Sequence, residues 1–313
     1  MPATYPEEQM KKYVSILLML LAAVIWGFAF SAQKVASVIP PFTISAIRSF
    51  LAVLFLIPSV MLFDKFSKNG RRLFAKKGID LKKSELIGGS VCGVILFIAT
   101  NLQQFGIGGT DAGKASFITA LYIVIVPIYN LLFGKKAPLN VWISVGIAVV
   151  GFYLLCVKND FSISPADLLV FLCALGYAMQ IVAIDRSLAY DGTDGVRLSC
   201  IQFFVAGVLS LICSLIFENG QDVSLIFNYI PELLYIGIFS SGVAFTLQIL
   251  GQKNTPPEIA SMVLSLESVF GAIAGSLVLG EIMLTREYIG CAVIFLAVIL
   301  SQLELKKKKA SVK

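Results

Sequence analysis

The chain has 313 residues, of which 58% are hydrophobic and only 14% charged, and its mean hydropathy is +0.87. This excludes an ordinary soluble domain, where charged residues supply roughly 25%, and a disordered chain, which carries far less apolar content. Histidine is absent and the formal net charge is +6; His-based acid–base chemistry and His metal ligation are therefore excluded.

A membrane helix needs about 20 consecutive apolar residues. Ten such segments follow one another at 13–33, 41–63, 85–105, 112–133, 141–157, 165–188, 196–217, 231–251, 257–279 and 288–303. Lys11 and Lys12 precede the first, as in a signal peptide, but its apolar run 14–30 exceeds the ~7–15 residues of a signal-peptide core, so it reads as a retained helix. The connections are short apart from a basic stretch between the second and third segments. In the fourth, Pro127 predicts a break or bend, with residues 122–129 as a hinge. Cys92, Cys156, Cys173, Cys200, Cys213 and Cys291 form no CxxC pair and sit mostly in apolar runs. They read as packing residues, and no metal or cofactor site is expected.

Positive charge sets the orientation. With the N-terminus inside, 20 of the 25 Lys and Arg residues fall on the inner side, including Lys65, Lys68, Arg71, Arg72, Lys76, Lys77, Lys136, Arg186, Arg197, Lys306, Lys307, Lys308, Lys309 and Lys313. Only Lys34, Lys114, Lys158 and Arg286 fall outside, and Arg48 lies within a span. Both termini are expected in the cytoplasm of a bacterial plasma (inner) membrane. The basic clusters are explained by contact with anionic lipid, and no nucleic-acid partner is expected.

The two halves resemble each other. Asn101-Leu102-Gln103-Gln104-Phe105-Gly106 aligns with Thr246-Leu247-Gln248-Ile249-Leu250-Gly251, Ala115-Ser116 with Ser261-Met262, and Ala23-Val24-Ile25-Trp26 with Ala174-Leu175-Gly176-Tyr177. Five spans per half force the second half to enter from the opposite side. The predicted fold is an all-α membrane protein of ten transmembrane helices in two inverted five-helix repeats, residues 1–157 and 158–313, with a site between them near the midplane.

Polar side chains in a span face a bundle interior or a water-filled cavity. Helical spacing puts Trp26 and Gln33 on one stripe, Cys173, Tyr177 and Gln180 on its repeat equivalent, and Thr119, Tyr122 and Tyr129 on another. Asn101, Gln103, Ser241, Gln248, Ser261, Ser265 and Ser268 complete the polar set. Glu267 sits mid-span, where an unpaired carboxylate costs roughly 3 kcal/mol or more. It could bind a cationic substrate group, carry a coupling proton, or hold Arg48. Arg48 could equally be held by backbone carbonyls. Asp185 is expected to pair with Arg186 or reach headgroups, and Lys114 to snorkel. Gly89-x-x-x-Gly93 and Gly271-x-x-x-Gly275 permit close helix approach.

In order along the chain, Trp26-Gly27-Phe28-Ala29-Phe30, Arg48, Ala115-Ser116-Phe117-Ile118-Thr119-Ala120-Leu121-Tyr122 with Pro127, Ala260-Ser261 through Leu266-Glu267-Ser268, Leu279-Gly280-Glu281 and Gly290 resemble the drug/metabolite transporter superfamily, in particular its ten-span EamA-type members. Gly134-Lys135-Lys136 departs from the Gly-Glu pair that many members carry there. The resemblance implies export or exchange of small metabolites, often amino acids, through a central cavity between the repeats.

The expected function is therefore secondary transport by alternating access, as an exporter of a small-molecule substrate, by a monomer or homodimer. The cavity would be built from Trp26, Gln33, Asn101, Gln103, Tyr122, Tyr177, Gln180, Gln248, Ser265, Glu267 and Ser268, with Arg48 and Glu267 as the structural or coupling charges. A uniform polar lining without a dense charge cluster suits a neutral or zwitterionic solute. No GxxxxGK[ST] loop is present for an ATP-driven pump. A membrane enzyme is disfavoured because such sites need His, paired carboxylates or a nucleophile–base pair. Import is the same machine run in the other direction, and a channel would give non-saturating flux.

Overall fold

The computed structural model describes residues 5–66, 74–75, 78–79, 81–135, 137–156, 164–218, 223–280 and 282–302. Lys68, Arg71, Arg72, Lys76, Lys77, Lys136, Lys158, Glu281, Lys306, Lys307, Lys308, Lys309, Lys313, residue 303 and the expected repeat boundary at 157/158 lie outside the described residues.

Helix dominates, as it must where no water is present to satisfy backbone groups. In chain order the helices are α1 (Tyr5–Val35), α2 (Pro41–Phe66), α3 (Lys83–Gly109), α4 (Ala112–Ala120), α5 (Tyr122–Leu132), α6 (Leu139–Cys156), α7 (Pro165–Leu188), α8 (Gly195–Phe217), α9 (Val223–Asn228) and α10 (Ile230–Leu234). A π-helical segment, Tyr235–Ala244, then leads into α11 (Phe245–Gln252), α12 (Pro257–Leu264), α13 (Glu267–Leu279) and α14 (Thr285–Gln302). A hairpin of two short strands, β1 (Phe74–Ala75) and β2 (Gly78–Ile79), is a small addition to the all-helical expectation.

Among the described residues, nine helical stretches are long and apolar enough to cross a membrane. The stretch Leu139–Leu155 is apolar but shorter; at 1.5 Å per residue it covers about 26 Å of a ~30 Å hydrocarbon core. Besides the first, in which α1 runs on into a 3₁₀ turn at Ala36–Val38, three of the nine are composite. One joins α4 to α5 across Leu121, one joins α10 to α11 through the π-helical segment, and one joins α12 to α13 across Ser265 and Leu266. Pro127 was expected to mark the break in the fourth span, but it lies inside α5, and the interruption is six residues earlier at Leu121. A proline removes one hydrogen bond, and neighbouring helices can absorb that loss without a break.

The outward faces carry large exposed apolar side chains such as Leu54, Leu62, Phe63, Leu132, Leu215, Phe217 and Leu277. A surface this apolar is stable only against lipid or another apolar partner. The interior is closed by intimate helix crossings. Helix α3 lies along α7 and α8, α2 along α8, α6 along α14, and α1 along α13. Gly93 faces α8, where an added Cβ would sit 2.7 Å from the Gln202 carbonyl oxygen, and one on Gly27 would sit 2.7 Å from the Phe270 carbonyl carbon. One on Gly290 would sit 2.6 Å from the Gly151 oxygen and 2.7 Å from the Leu155 nitrogen. Both obstacles are backbone, so α14 must move away from α6. Gly290→Ala is therefore expected to destabilise by about 1–3 kcal/mol, visible as a lower unfolding temperature in detergent. An unchanged temperature would show that this crossing is not tight.

Several end charges have partners other than those expected. Lys114 does not simply snorkel; it forms an ion pair with Asp167 at 2.7 Å, and Thr110 donates to the other Asp167 oxygen. Asp185 pairs with Lys135 at 2.8 Å rather than with Arg186, whose guanidinium stacks 3.8 Å above the Phe133 ring. Lys34 donates to the carbonyls of Ile107, Gly108 and Thr110 at the end of α3. Arg197, counted above among the inner-side cations, is buried and held by both oxygens of Asp64.

Candidate functional site

Seven spans converge on one interior cavity. Helix α1 supplies Trp26, Phe30 and Gln33, and α2 supplies Arg48. Gln103 comes from α3, Thr119 from α4 and Tyr122 from the first turn of α5. Helix α7 gives Tyr177 and Gln180, the π-helical segment gives Ser240, and α11 gives Phe245 and Gln248. Glu267 opens α13 directly after the interruption at Ser265 and Leu266. The free volume among these side chains is about 30 Å³, room for about two water molecules. The site is thus contracted, and a larger solute needs it to open.

One wall is cationic. Arg48, 3% exposed, donates through Nε to Ser241 Oγ at 2.9 Å, through Nη1 to Gln33 Oε1 at 3.0 Å and through Nη2 to Ser240 Oγ at 3.2 Å. All three partners are neutral. These bonds use three of the five guanidinium N–H groups, and no carboxylate neutralises Arg48 among the described residues. The π-helical geometry brings consecutive serines to one guanidinium. It also lets Ser241 donate to the carbonyl of Ile236, five residues back.

The opposite feature is Glu267, 4% exposed, whose Oε1 has no hydrogen-bond partner among the described residues. It is not the counter-ion of Arg48, so that structural reading of the carboxylate is not what the geometry shows. Gln248 Oε1 is likewise buried without a partner among the described residues, and the Tyr122 hydroxyl lies against the Glu267 carboxylate in the same space. Between the charges, Tyr177 donates to Gln103 Oε1 at 3.1 Å, Gln103 Nε2 to Thr119 at 3.2 Å, and Gln180 Nε2 to Gln202 at 3.2 Å. Aromatic rings form the remaining walls. Trp26 meets Phe245 edge-on at 4.7 Å and donates its indole N–H to the Ser240 carbonyl, so it is an interior residue and not part of an interfacial belt. Tyr177 lies 6.5 Å from the same phenyl ring.

Nine of the expected residues are therefore brought together: Trp26, Gln33, Arg48, Gln103, Tyr122, Tyr177, Gln180, Gln248 and Glu267. Three are placed elsewhere. Asn101 is two positions from Gln103, about 200° around the helix, and it bonds Ser210 and the Phe97 carbonyl. Ser265 and Ser268 donate to the carbonyls of Met262 and Ser265, three residues back, and do not line the cavity. Phe30, Thr119, Ser240 and Phe245 are among the additions. Ser240 had a visible signal in its pairing with Ser241, whereas Phe245 is one apolar residue in an apolar run.

An arginine and a carboxylate lining one cavity, spaced by amides and aromatic faces, can hold a small solute bearing an anionic and a cationic end. Sequence comparison matches the EamA-like transporter family over residues 14–157 and 164–303. The chain is 31% identical to an uncharacterized transporter of Archaeoglobus fulgidus over 304 residues, covering 95% of this chain and 89% of that one. It is 24% identical to the threonine/homoserine exporter RhtA of Escherichia coli over 315 residues, covering 96% and 95%. A solved crystal structure shares the fold with a TM-score of 0.72 at 16% identity, covering 92% of this chain and 96% of the other.

Proposed function

The chain belongs to the EamA-like transporter family, and on that premise we propose that it exports small zwitterionic metabolites of the amino-acid type by alternating access. It is an integral, multi-pass membrane protein, a transporter rather than an enzyme. The observation that carries the substrate class is the pair of buried, mutually unpaired charges, Arg48 and Glu267, in one cavity. A substrate carboxylate takes the free N–H groups of Arg48, and its ammonium takes Glu267. Charges left uncompensated in a water-poor site are costly, and a zwitterion compensates both at once. The exporter named for threonine and homoserine among the relatives supports the same class.

The reading includes ten spans in two inverted repeats, 1–157 and 158–313, with both termini cytoplasmic. The interruptions support it. The register that pairs Ala115 with Ser261 places Leu121 opposite Glu267, beside the second interruption, and broken helices near the midplane are where such transporters form their sites.

The test is efflux from proteoliposomes loaded with labelled amino acids, their methyl esters, which lack the carboxylate charge, and their N-acetyl derivatives, which lack the ammonium. The expected result is saturable efflux of a subset of the amino acids, with both one-charge analogues at least about tenfold slower, the loss of one charge-assisted contact. Equal rates for all three forms would sink the zwitterion reading.

A further inference from the structure

A second concavity lies away from the candidate substrate cavity, at the ends of α3, α5 and α7 that the charge distribution places on the inner side. It has about 530 Å³ of free volume, far more than the contracted central site. Its floor is the α3–α7 crossing, where an added Cβ on Gly88 would sit 2.6 Å from Ser187 Oγ. Ile87, Val91, Ile95, Met179, Val182 and Ala183 give an apolar lining running toward the membrane interior. The mouth is polar and positive, formed by Lys83, Ser84, Arg186 and Tyr190.

The charges at this mouth do not cancel. Asp185, the carboxylate next to Arg186, is taken by Lys135 at 2.8 Å. Glu85, on the first turn of α3, is buried and accepts from the backbone nitrogens of Lys82 and Asp194. Lys83 makes no ion pair or hydrogen bond among the described residues. Arg186 is exposed and stacks on Phe133, which leaves the edge of its guanidinium, where the N–H groups lie, open. Ser84 already accepts from Thr193, so its own hydroxyl hydrogen remains to donate.

We propose that this groove is a specific site for an anionic phospholipid of the inner leaflet. Its acyl chains lie along the apolar lining, and its phosphate is bound between Lys83 and Arg186, with Ser84 donating. A phosphate with chains attached fits both ends of the groove, and a zwitterionic lipid would bring a choline or ethanolamine cation to a mouth that is already positive. A basic pocket between transmembrane helices on the inner side is the setting in which such headgroups are held.

The experiment is native mass spectrometry of the full-length protein in detergent, titrated with phosphatidylglycerol or with phosphatidylcholine of the same chains. Phosphatidylglycerol should bind in preference. The double variant Lys83→Gln, Arg186→Gln should lose about 30-fold in that affinity, from about one mouth charge each. Lys83→Arg, Arg186→Lys should restore it, which a merely misfolded groove would not. The control Lys65→Gln, Lys253→Gln, which removes the same net charge elsewhere, should change little. Equal binding of the two lipids, equal loss in the control, or a dimer that the double variant dissociates would overturn the proposal. So would displacement of the lipid by millimolar inorganic phosphate, since that would make the site one for the free anion. Amino-acid efflux in phosphatidylcholine vesicles tests the central cavity separately, so the two readings can fail independently.

Discussion

Glu267→Gln is expected to lower the efflux of a transported amino acid on the order of 100-fold while leaving the protein folded. The change keeps the size of the side chain and removes only its charge. Removing one partner of a desolvated charge pair costs roughly 2–5 kcal/mol, and about 2.7 kcal/mol corresponds to 100-fold. Folding should be unharmed, because Glu267 makes no ion pair among the described residues and a glutamine of the same size can keep the contact with Tyr122. Replacing a buried, unpaired charge by a neutral group is neutral or stabilising. Efflux in proteoliposomes and unfolding temperature in detergent, measured on the same preparation, check both halves. Unchanged efflux would remove Glu267 from substrate recognition, and a collapsed unfolding temperature would return it to a structural role. Arg48→Gln is a poorer probe, because Arg48 also anchors Gln33, Ser240 and Ser241.

The largest loss of stability is expected from Asp64→Ala. Arg197 is 1% exposed, and its Nη2 lies 2.7 and 2.9 Å from the two Asp64 oxygens. This pair ties the end of α2 to the first turn of α8. Without Asp64 the guanidinium remains buried with no counter-charge, at a cost of about 3–5 kcal/mol. Adding Arg197→Met should recover most of that loss, since an apolar side chain of similar length needs no partner. Unfolding temperatures of the two single variants and the double variant form a cycle. If the double variant were as unstable as Asp64→Ala, the penalty would come from lost packing and not from the stranded charge.

The membrane fold was legible in the sequence because a spanning helix must be long and almost wholly apolar, and such runs leave little room for alternatives. Trp26, Tyr177, Gln103 and Gln248 were legible for a second reason: polar or aromatic side chains stand out within apolar runs, and the internal repeat selects the same faces twice. The misplaced residues have a shared cause. Polarity marks a side chain that needs a partner but does not say where the partner is, and Ser265 and Ser268 find theirs on their own backbone. Asn101 finds Ser210 on a neighbouring helix. Ser240 was missed because an α-helical pattern separates adjacent residues by 100°, and only the wider turn brings Ser240 and Ser241 to the same guanidinium. The ion pairs Lys114–Asp167 and Arg197–Asp64 join residues far apart in the chain, and no local pattern announces them.

The stretch Tyr235–Ala244 has a further mechanical consequence. A π-helical turn holds one more residue than an α-turn, and that surplus can migrate along a helix like a ruck in a carpet. Each residue the ruck passes turns by about 100° and advances by about 1.5 Å, with the backbone bonds exchanged one at a time and never all broken together. Displaced toward the start of its helix, the ruck would swing Ser240 and Ser241 off the Arg48 guanidinium and withdraw the carbonyl that holds the Trp26 indole. A rotation of one short segment would then loosen the cationic wall and an aromatic wall in the same stroke.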